Sequence, residues 1–464
     1  MTRIHRRRSR RRLGAACTAL AAVVALLAVS SPGAGAGPPG MHPPGMGRRV
    51  TTIAPGLTLE RIVDRKVPRR IFVLTVDRSQ ALTLDVTLAL GDHLAGYAPT
   101  SAMAANAGAI AAVNGDFTRP PGHPLHPFAM DGNLVQTSVI RGFEFAPTLD
   151  ESGASFGRPQ QTVTAVVAST GETLAVDHWN EGPPEPGEIA GFSPEGGYAE
   201  TPPPDACSAH LLPQTSPQPA DPNGVERTYT VDQAVCADAA MAVSGGVVLS
   251  APPGTDEAIR LLALQPGAQV VLTWSFGWPD VFDAIGGVPI LVADGQMALE
   301  GCYGSVCYQH PRTGVGITAD GKVLLVVVDG RQPRYSEGLT MRRFARLFLH
   351  LGAMFAMNLD GGGSSTMVVN GTVVNRPSSG VERAVGSAIV VLPGPDPGEL
   401  LSSPLASAPT PTAPTGPVEP GRAAIFDPGS TGGLLDALAR GSFGRMAPLP
   451  DHLMRLVRLF RARR

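Results

Sequence analysis

Residues 358–383 read Asn-Leu-Asp-Gly-Gly-Gly-Ser-Ser-Thr-Met-Val-Val-Asn-Gly-Thr-Val-Val-Asn-Arg-Pro-Ser-Ser-Gly-Val-Glu-Arg, a combination that no ordinary structural segment requires. Asp360 follows an apolar run, and three glycines and two serines come directly after it. Consecutive glycines allow positive φ and close approach of the backbone to a ligand. Amides in such a turn can form an anion-binding concavity, and Arg376 and Arg383 follow on loop-like sequence. The stretch predicts a site for a sugar joined to phosphate.

Three upstream blocks accompany this stretch. They read Ala-Val-Asn-Gly-Asp-Phe at 112–117, His-Pro-Arg-Thr-Gly-Val-Gly at 310–316 and Val-Val-Asp-Gly-Arg at 327–331. Together with Asn-Leu-Asp-Gly-Gly-Gly-Ser-Ser-Thr and Asn-Arg-Pro-Ser, they resemble the phosphodiester glycosidase family. The resemblance runs over residues 70–392 and is densest in its last third, whereas the segment 150–280 matches no block. In that family the first block usually reads Asn-Gly-Gly-Phe, so Asp116 departs from the pattern.

The N-terminus predicts export. Basic residues at 6–8 and 10–12 precede an apolar run at 13–29, and Ala-Gly-Ala at 34–36 suits cleavage. This is the pattern of a secretory signal peptide, which we place at residues 1–36. We favour the general secretory route over a twin-arginine signal, and an uncleaved membrane anchor is the alternative. The mature protein is expected to be secreted or to reside in the cell envelope.

Cysteine usage agrees with export. Four cysteines follow the signal peptide, and an even number outside the cell predicts two disulfides. Of the three pairings, we expect the local ones, Cys207–Cys236 and Cys302–Cys307. The second would stiffen the segment before His310, which the resemblance places in the active site. The spacing does not suit zinc, because the chain has no Cys-x-x-Cys motif and no pair of histidines with three to five residues between them.

Composition predicts a turn-rich fold without a nucleic-acid partner. The formal net charge is only −2, and the chain contains 55 Gly and 45 Pro but few aromatic residues. We predict an α+β fold, a single large domain of mixed, twisted β-sheets with few helices and long loops. Its predicted parts are a flexible lead (37–52), the domain (53–392) with a loop-rich insertion (about 181–222), a Pro/Ser/Thr-rich linker (393–431) and a basic tail (432–464). The tail is expected to be solvated, and weak contact with an anionic membrane surface is the alternative.

Several elements can be predicted individually. Leucines and valines alternate strictly over 82–90, which is typical of a half-buried strand. Apolar residues share one face over 340–351, which predicts a helix, and Thr100 is a candidate cap for a short helix ending at Asn106. Asn370-Gly371 between two short apolar runs predicts a β-hairpin with a tight primed turn.

A sugar-1-phosphodiester makes unusual demands on a catalyst. Its leaving group is a phosphomonoester with a second pKa of about 6, which needs little protonation but does need its charge held. Ordinary glycosidases use two carboxylates, whereas this chain places arginines beside carboxylates. Arginine binds phosphate oxygens in a bidentate manner.

The candidate catalytic residues are Asp360, Asp329 and His310. Each has an alternative structural role, as a turn residue for the aspartates and a buried side chain for the histidine. The candidate substrate-binding residues are Asn114, Arg312, Thr313, Arg331, Gly361, Gly362, Gly363, Ser364, Ser365, Arg376 and Arg383. Because these residues follow or border strand ends and turns, we expect them to converge on one cleft.

The resulting functional prediction is a secreted hydrolase that cleaves the glycosidic bond of a sugar-1-phosphodiester within a glycan or envelope polysaccharide. The rivals are a non-catalytic module that binds glycan or phosphate, and a structural envelope protein. No cofactor is expected. Asp329 and Asp360 could together supply oxygen ligands to Ca²⁺, but the sequence contains no ladder of such ligands.

Overall fold

β-strands dominate the part of the chain that the computed structural model describes, which comprises residues 46–91, 93–137, 143–147, 154–197, 200–214, 225–278, 281–299 and 304–394. The predicted signal peptide, the predicted tail, Cys302 and the linker beyond residue 394 lie outside these ranges. The expectation of one large domain of β-sheets with few helices is confirmed in its coarser form, a β-rich domain. Within the described residues the strand pairs are antiparallel except for His178–Trp179 beside Ala190–Phe192.

The first large sheet, sheet I, has eight strands and carries most of the site. Its central strand, Val323–Val328, is buried along its whole length because it has a neighbour on each side and apolar layers on both faces. In order across the sheet, the strands are Met46–Ala54, Leu57–Asp64, Arg69–Val76, Val323–Val328, Arg312–Thr318, Ala353–Asn358, Ile290–Ala293 and Gln296–Met297.

Sheet II has five strands and packs face to face with sheet I. Its strands are, in order, Thr372–Val373, Met367–Val369, Ala111–Asn114, Ser387–Pro393 and Leu82–Leu88. Leu84 and Val86 from the alternating segment join Leu74 and Leu325 of sheet I in the shared core. The alternation places one side of each strand in that core. It ends at Leu88, and Leu90 is exposed. The predicted hairpin is confirmed, with positive φ at both Asn370 and Gly371.

Two helices cover the outer faces of these sheets. Helix α3 (Met341–His350) packs Phe344 and Phe348 on the outer face of sheet I, and its cap Thr340 accepts from the backbone N–H of Arg343. Helix α1 (Thr100–Asn106) lies on sheet II. Thr100 is its first residue, so the predicted capping role is wrong by one position. None of the helices in the described ranges is long and apolar enough to cross a membrane.

Sheet III forms a separate core from residues between 162 and 275, a segment that contains none of the sequence blocks quoted above. In order, its eight strands are Thr173–Val176, Thr162–Val167, Gln269–Ser275, Val225–Cys236, Cys207–Pro213, Val247–Ala251, Ala190–Phe192 and His178–Trp179. Helix α2 (Asp256–Leu262) packs against it. Two of these strands lie within 181–222, so the segment predicted as a loop-rich insertion contributes to a sheet.

Short elements connect the three sheets. The strand Phe143–Pro147 lies between Ala154–Gly157 and Ile285–Gly287. Three further pairs are Phe128–Met130 with Asn133–Gln136, Ala98–Pro99 with Ala384–Val385, and Thr118–Arg119 with His123–Pro124. The 3₁₀ turns are Arg78–Gln80, Pro194–Gly196, Gly304–Cys307 and Gly362–Ser364.

The start of the domain differs from the prediction. A strand begins at Met46, inside the segment 37–52 that the sequence indicated as a flexible lead. Its side chains are largely exposed, so no hydrophobic period marks it. The strand instead forms backbone hydrogen bonds with Leu57–Asp64 at the edge of sheet I.

The predicted Cys207–Cys236 disulfide is confirmed, and it links directly opposed residues of neighbouring strands in sheet III. Cys307 is also disulfide-bonded, while its predicted partner Cys302 lies outside the described residues.

Replacing both Cys207 and Cys236 by alanine is expected to lower the free energy of unfolding by about 2–4 kcal/mol, because the bond closes a long loop of the unfolded chain. Urea unfolding of the double variant measures this loss, and an unchanged midpoint would contradict it.

Candidate active site

Strand ends bring the separated sequence blocks to one edge of the two facing sheets. In sheet I, Arg312 begins a strand directly opposite Val328, and Gly314 lies opposite Asn358. Because these neighbours are antiparallel, the start of one strand lies beside the ends of two others. Asn114 ends its strand in sheet II, and its side chain bonds to the backbone of Asp360. The sequence blocks therefore meet at one sheet edge, although only some of the predicted site residues line the cleft there.

A cleft opens at this edge, and six of the predicted site residues line it. They are His310, Arg312, Arg331, Asp360, Gly361 and Gly362. Four further residues complete the wall, namely Phe117, Ser305, Val306 and Asn358. Sequence reasoning did not select these four. Two of them belong to the sequence blocks quoted above, because Phe117 ends the block 112–117 and Asn358 begins 358–383. Their position in those blocks could have indicated that they line the site.

Asp360 is the carboxylate in the wall of the cleft. Its side chain is buried, Oδ2 accepts a hydrogen bond of 2.5 Å from Ser364, and Oδ1 has no hydrogen-bond partner. Burial raises the pKa of Asp360 to about 6, and the hydrogen bond from Ser364 and the charge of Arg383 partly oppose this rise. An unpartnered carboxylate oxygen in a buried wall is costly unless a ligand or water satisfies it.

Two of the three glycines make room for an arginine each, and Gly361 lies against the backbone carbonyl of Pro311. A methyl group on Gly363 would overlap Nη2 of Arg383, and one on Gly362 would lie 3.0 Å from Nη2 of Arg331. Gly362 also has a φ of +63°, a conformation that favours glycine. The glycines therefore let guanidinium groups contact the backbone next to Asp360. Of the two arginines, Arg331 lines the cleft.

His310 is neutral over most of the pH range. Burial, together with the charges of Arg331 and Arg312, lowers the pKa of His310 to about 4. Nε of Arg331 donates to Nδ1 of His310 at 3.3 Å, so the proton of the neutral ring belongs on Nε2. Nε2 is buried and has no hydrogen-bond partner. The ring can donate a hydrogen bond to an oxygen of a bound ligand.

Arg312 is occupied largely by the protein itself. Its Nε donates to the carbonyl of Leu339, and its Nη2 donates to the carbonyls of Val306 and Tyr308. Burial and the neighbouring charge of Arg331 lower the pKa of Arg312 to about 9. The side chain thus fixes the turn that carries Cys307 against the cleft.

Asp329 does not line the cleft, and its carboxylate organises a neighbouring loop. Oδ1 accepts from the side chain of Asn375 and from the amide of Arg376, both at 3.0 Å, and Oδ2 accepts from the hydroxyl of Tyr335 at 3.2 Å. Burial raises the pKa of Asp329 to about 6. The same Asn375 amide bonds to the carbonyl of Ser365, which connects Asp329 to the glycine-rich turn.

Two other predicted binding residues have supporting roles. The hydroxyl of Thr313 donates to Asn114, and Ser364 donates to Asp360. Ser365 is buried, and its hydroxyl has no hydrogen-bond partner. Within the described ranges, no three His, Cys, Asp or Glu side chains gather as a set of metal ligands.

Asp116, which departs from the family pattern, also has an internal role. Its buried carboxylate accepts from the backbone amides of Phe117, Leu125 and His126 and contacts Nδ1 of His126 at 2.7 Å. It thereby fixes the loop that places Phe117 on the cleft. Its charge also contributes to the raised pKa of Asp360.

Asn114 links both sheets to the glycine-rich turn. Its amide donates to the carbonyl of Asp360 at 2.7 Å, and its Oδ1 accepts from Thr313 and from the amide of Thr366.

Asn114→Ala is expected to lower the free energy of unfolding by about 3 kcal/mol, because it leaves buried polar groups unpaired. Thermal and urea unfolding measure the change, with the exposed Gln265→Ala as control. Equal stability of both variants would contradict this role.

Comparison with known proteins identifies the same region. Residues 223–392 match the family model described as phosphodiester glycosidase. The chain is 42% identical over 83 residues to the SPbeta prophage-derived uncharacterized protein YomE of Bacillus subtilis (strain 168), covering 18% of this chain and 13% of that protein. It is 40% identical over 67 residues to the N-acetylglucosamine-1-phosphodiester alpha-N-acetylglucosaminidase of Bos taurus, covering 14% of this chain and 12% of that protein.

A solved structure extends the likeness to most of the chain. A protein of Burkholderia pseudomallei K96243 that is described as exported superimposes with a TM-score of 0.53 at 26% identity, covering 72% of this chain and 75% of that one. The matched family segment contains all the lining residues of the cleft except Phe117. The resemblance inferred from the sequence blocks is thus confirmed over residues 223–392, which match the model of the phosphodiester glycosidase family.

Proposed function

We propose that the protein is a secreted hydrolase that cleaves the bond between a sugar and the phosphate of a sugar-1-phosphodiester. The observation that carries the proposal is the composition of the cleft wall. An unpartnered oxygen of Asp360, the neutral ring of His310 and the guanidinium of Arg331 line one cleft. The name of the bovine relative specifies hydrolysis of an N-acetylglucosamine-1-phosphodiester, and the Cys207–Cys236 disulfide is consistent with export.

The two ends of the cleaved bond develop opposite charges in the transition state, and the cleft must stabilise each of them. Cleavage between the anomeric carbon and the bridging oxygen leaves that oxygen on the phosphate as a monoester, and water supplies the new hydroxyl of the sugar. Positive charge develops at the anomeric carbon, which ionised Asp360 stabilises as electrostatic partner or nucleophile. Negative charge on the departing phosphate is held by Arg331 and by the Nε2 proton of His310. Among the described residues, Asp360 is the one carboxylate in the cleft wall, and a phosphate leaving group needs no strong acid.

The test is release of free sugar from a panel of sugar-1-phosphodiesters that differ in sugar and in carrier alcohol. Sugar release with a phosphomonoester left on the carrier is the expected result. Simple glycosides that lack phosphate should not react. Calorimetric binding of the diesters without any turnover would instead establish a module that binds glycan or phosphate.

A further inference from the structure

Two arginines share one tyrosine ring outside the cleft. The guanidinium carbons of Arg70 and Arg376 lie over the ring of Tyr335, at 5.1 and 5.0 Å from its centroid. Neither arginine forms a salt bridge with a carboxylate in the described part of the chain. Arg376 is exposed, and Arg70 and Tyr335 are half-buried. Two cations thus converge on a surface that solutes can reach.

The position of this group is fixed relative to the cleft. The Arg376 amide bonds to Asp329, whose carboxylate also accepts from the Tyr335 hydroxyl. The backbone of Arg70 accepts from the amide of Asp329. Arg331, two residues after Asp329, lies in the cleft wall. The next residue, Gln332, donates from its side chain to the Arg376 carbonyl. The paired arginines therefore border the segment that supplies the cleft with Arg331.

The arrangement suits an oxyanion such as phosphate. A guanidinium group stacked on an aromatic ring keeps its N–H groups free to point outward in the plane, where they match two phosphate oxygens. The two cations share one ring, at 5.1 and 5.0 Å from its centroid, and an anion that reached both would reduce the repulsion between them. Asp329 offsets part of the positive charge of the arginines, because its carboxylate accepts from the tyrosine hydroxyl and the Arg376 amide.

We propose that Arg70, Arg376 and Tyr335 form a second anion subsite, which binds a further phosphate of the same substrate while a sugar-1-phosphodiester occupies the cleft. The substrate class is then a chain with several phosphodiester linkages, such as a polymer of sugar phosphates. This inference rests on the proposed function for the identity of the group in the cleft. The subsite itself rests on the contacts of the two arginines.

Binding of oligomers of different length tests the subsite. The probes are synthetic N-acetylglucosamine-1-phosphodiesters with one linkage and with three linkages, measured by calorimetry at low ionic strength. The wild type is expected to bind the longer probe about 10–100-fold more tightly, because charged contacts to phosphate are among the strong hydrogen bonds. Neither arginine lines the cleft, although Arg376 was predicted to bind substrate there. In the double variant Arg70→Gln and Arg376→Gln, the length preference should therefore disappear while affinity for the single linkage is retained. Arg342→Gln removes an exposed charge on helix α3 and is the matched control.

The outcomes separate this inference from the proposed function. Equal affinity of the wild type for both probes overturns the subsite, as does an unchanged length preference in a folded double variant. Folding is checked by the thermal unfolding midpoint, and the single variant Arg376→Gln, at an exposed position, serves if the double variant does not fold. A length preference that depends on the arginines supports the subsite even when neither probe releases sugar, which is the result that would reject the hydrolase.

Discussion

Replacing Asp360 by asparagine is expected to reduce turnover on a sugar-1-phosphodiester by at least about 100-fold and to leave substrate affinity nearly unchanged. Asparagine keeps the size of the side chain and can still accept from Ser364, but it removes the negative charge. That charge acts on the positive anomeric carbon, which exists only in the transition state, so its loss affects the chemical step rather than binding. Sugar release and calorimetric affinity, measured on the same preparations, distinguish the two effects. Unchanged turnover would remove Asp360 from the mechanism.

The pH dependence follows from the same carboxylate. Burial raises the pKa of Asp360 to about 6, and in the proposed mechanism the ionised form is the active one. Turnover is therefore expected to rise with pH through about 6 and then to level off. His310, whose pKa is lowered to about 4, stays neutral over this range. Ser364→Ala removes a hydrogen bond that lowers the pKa of Asp360, so the rise should move to higher pH. A rise that keeps the same midpoint in Ser364→Ala would assign it to another group.

Replacing Gly363 by alanine is expected to lower turnover by about 100-fold with little loss of stability. The added methyl group would overlap the guanidinium of Arg383, which must move away from the turn next to Asp360. The obstructing atoms lie at the far end of the flexible Arg383 side chain. The side chain can move without much loss of stability, but its displacement changes the surroundings of Asp360. A displacement on the order of 1 Å in a site costs about 100-fold in rate.

A double-mutant cycle tests whether Gly363→Ala acts through Arg383. In an Arg383→Ala background the clash no longer exists, so Gly363→Ala should cost little further activity. Gly47→Ala is the matched control, because its methyl group would meet no atom closer than Cβ of Val63 at 4.0 Å. A similar loss of turnover with and without Arg383 would show that the methyl group acts on the substrate or backbone instead.

Local sequence determined the elements whose stability is local. The amphipathic segment ending near Leu351 forms a helix because its apolar face matches the 3.6-residue period. Asn370-Gly371 forms its turn because both residues tolerate positive φ. The strand Val323–Val328 is an unbroken apolar run whose length suits a strand buried on both faces. The glycine triplet predicted close approach of a ligand to the backbone, and the structure shows two guanidinium groups of the protein itself there.

Tertiary structure alone decided which polar residues face the cleft. Sequence blocks selected Asn114, Arg312 and Asp329 as site residues, but their hydrogen-bonding groups are used largely within the protein. The partners that use them are distant in the chain, since Asn114 and Asp360 are separated by 246 residues. A buried polar side chain must find a partner wherever the fold places one, and no local pattern encodes that choice. The sequence thus identified residues that gather at the sheet edge. Only the folded arrangement distinguished Oδ1 of Asp360, which has no hydrogen-bond partner among the described residues, from the groups that hold the side chain in place.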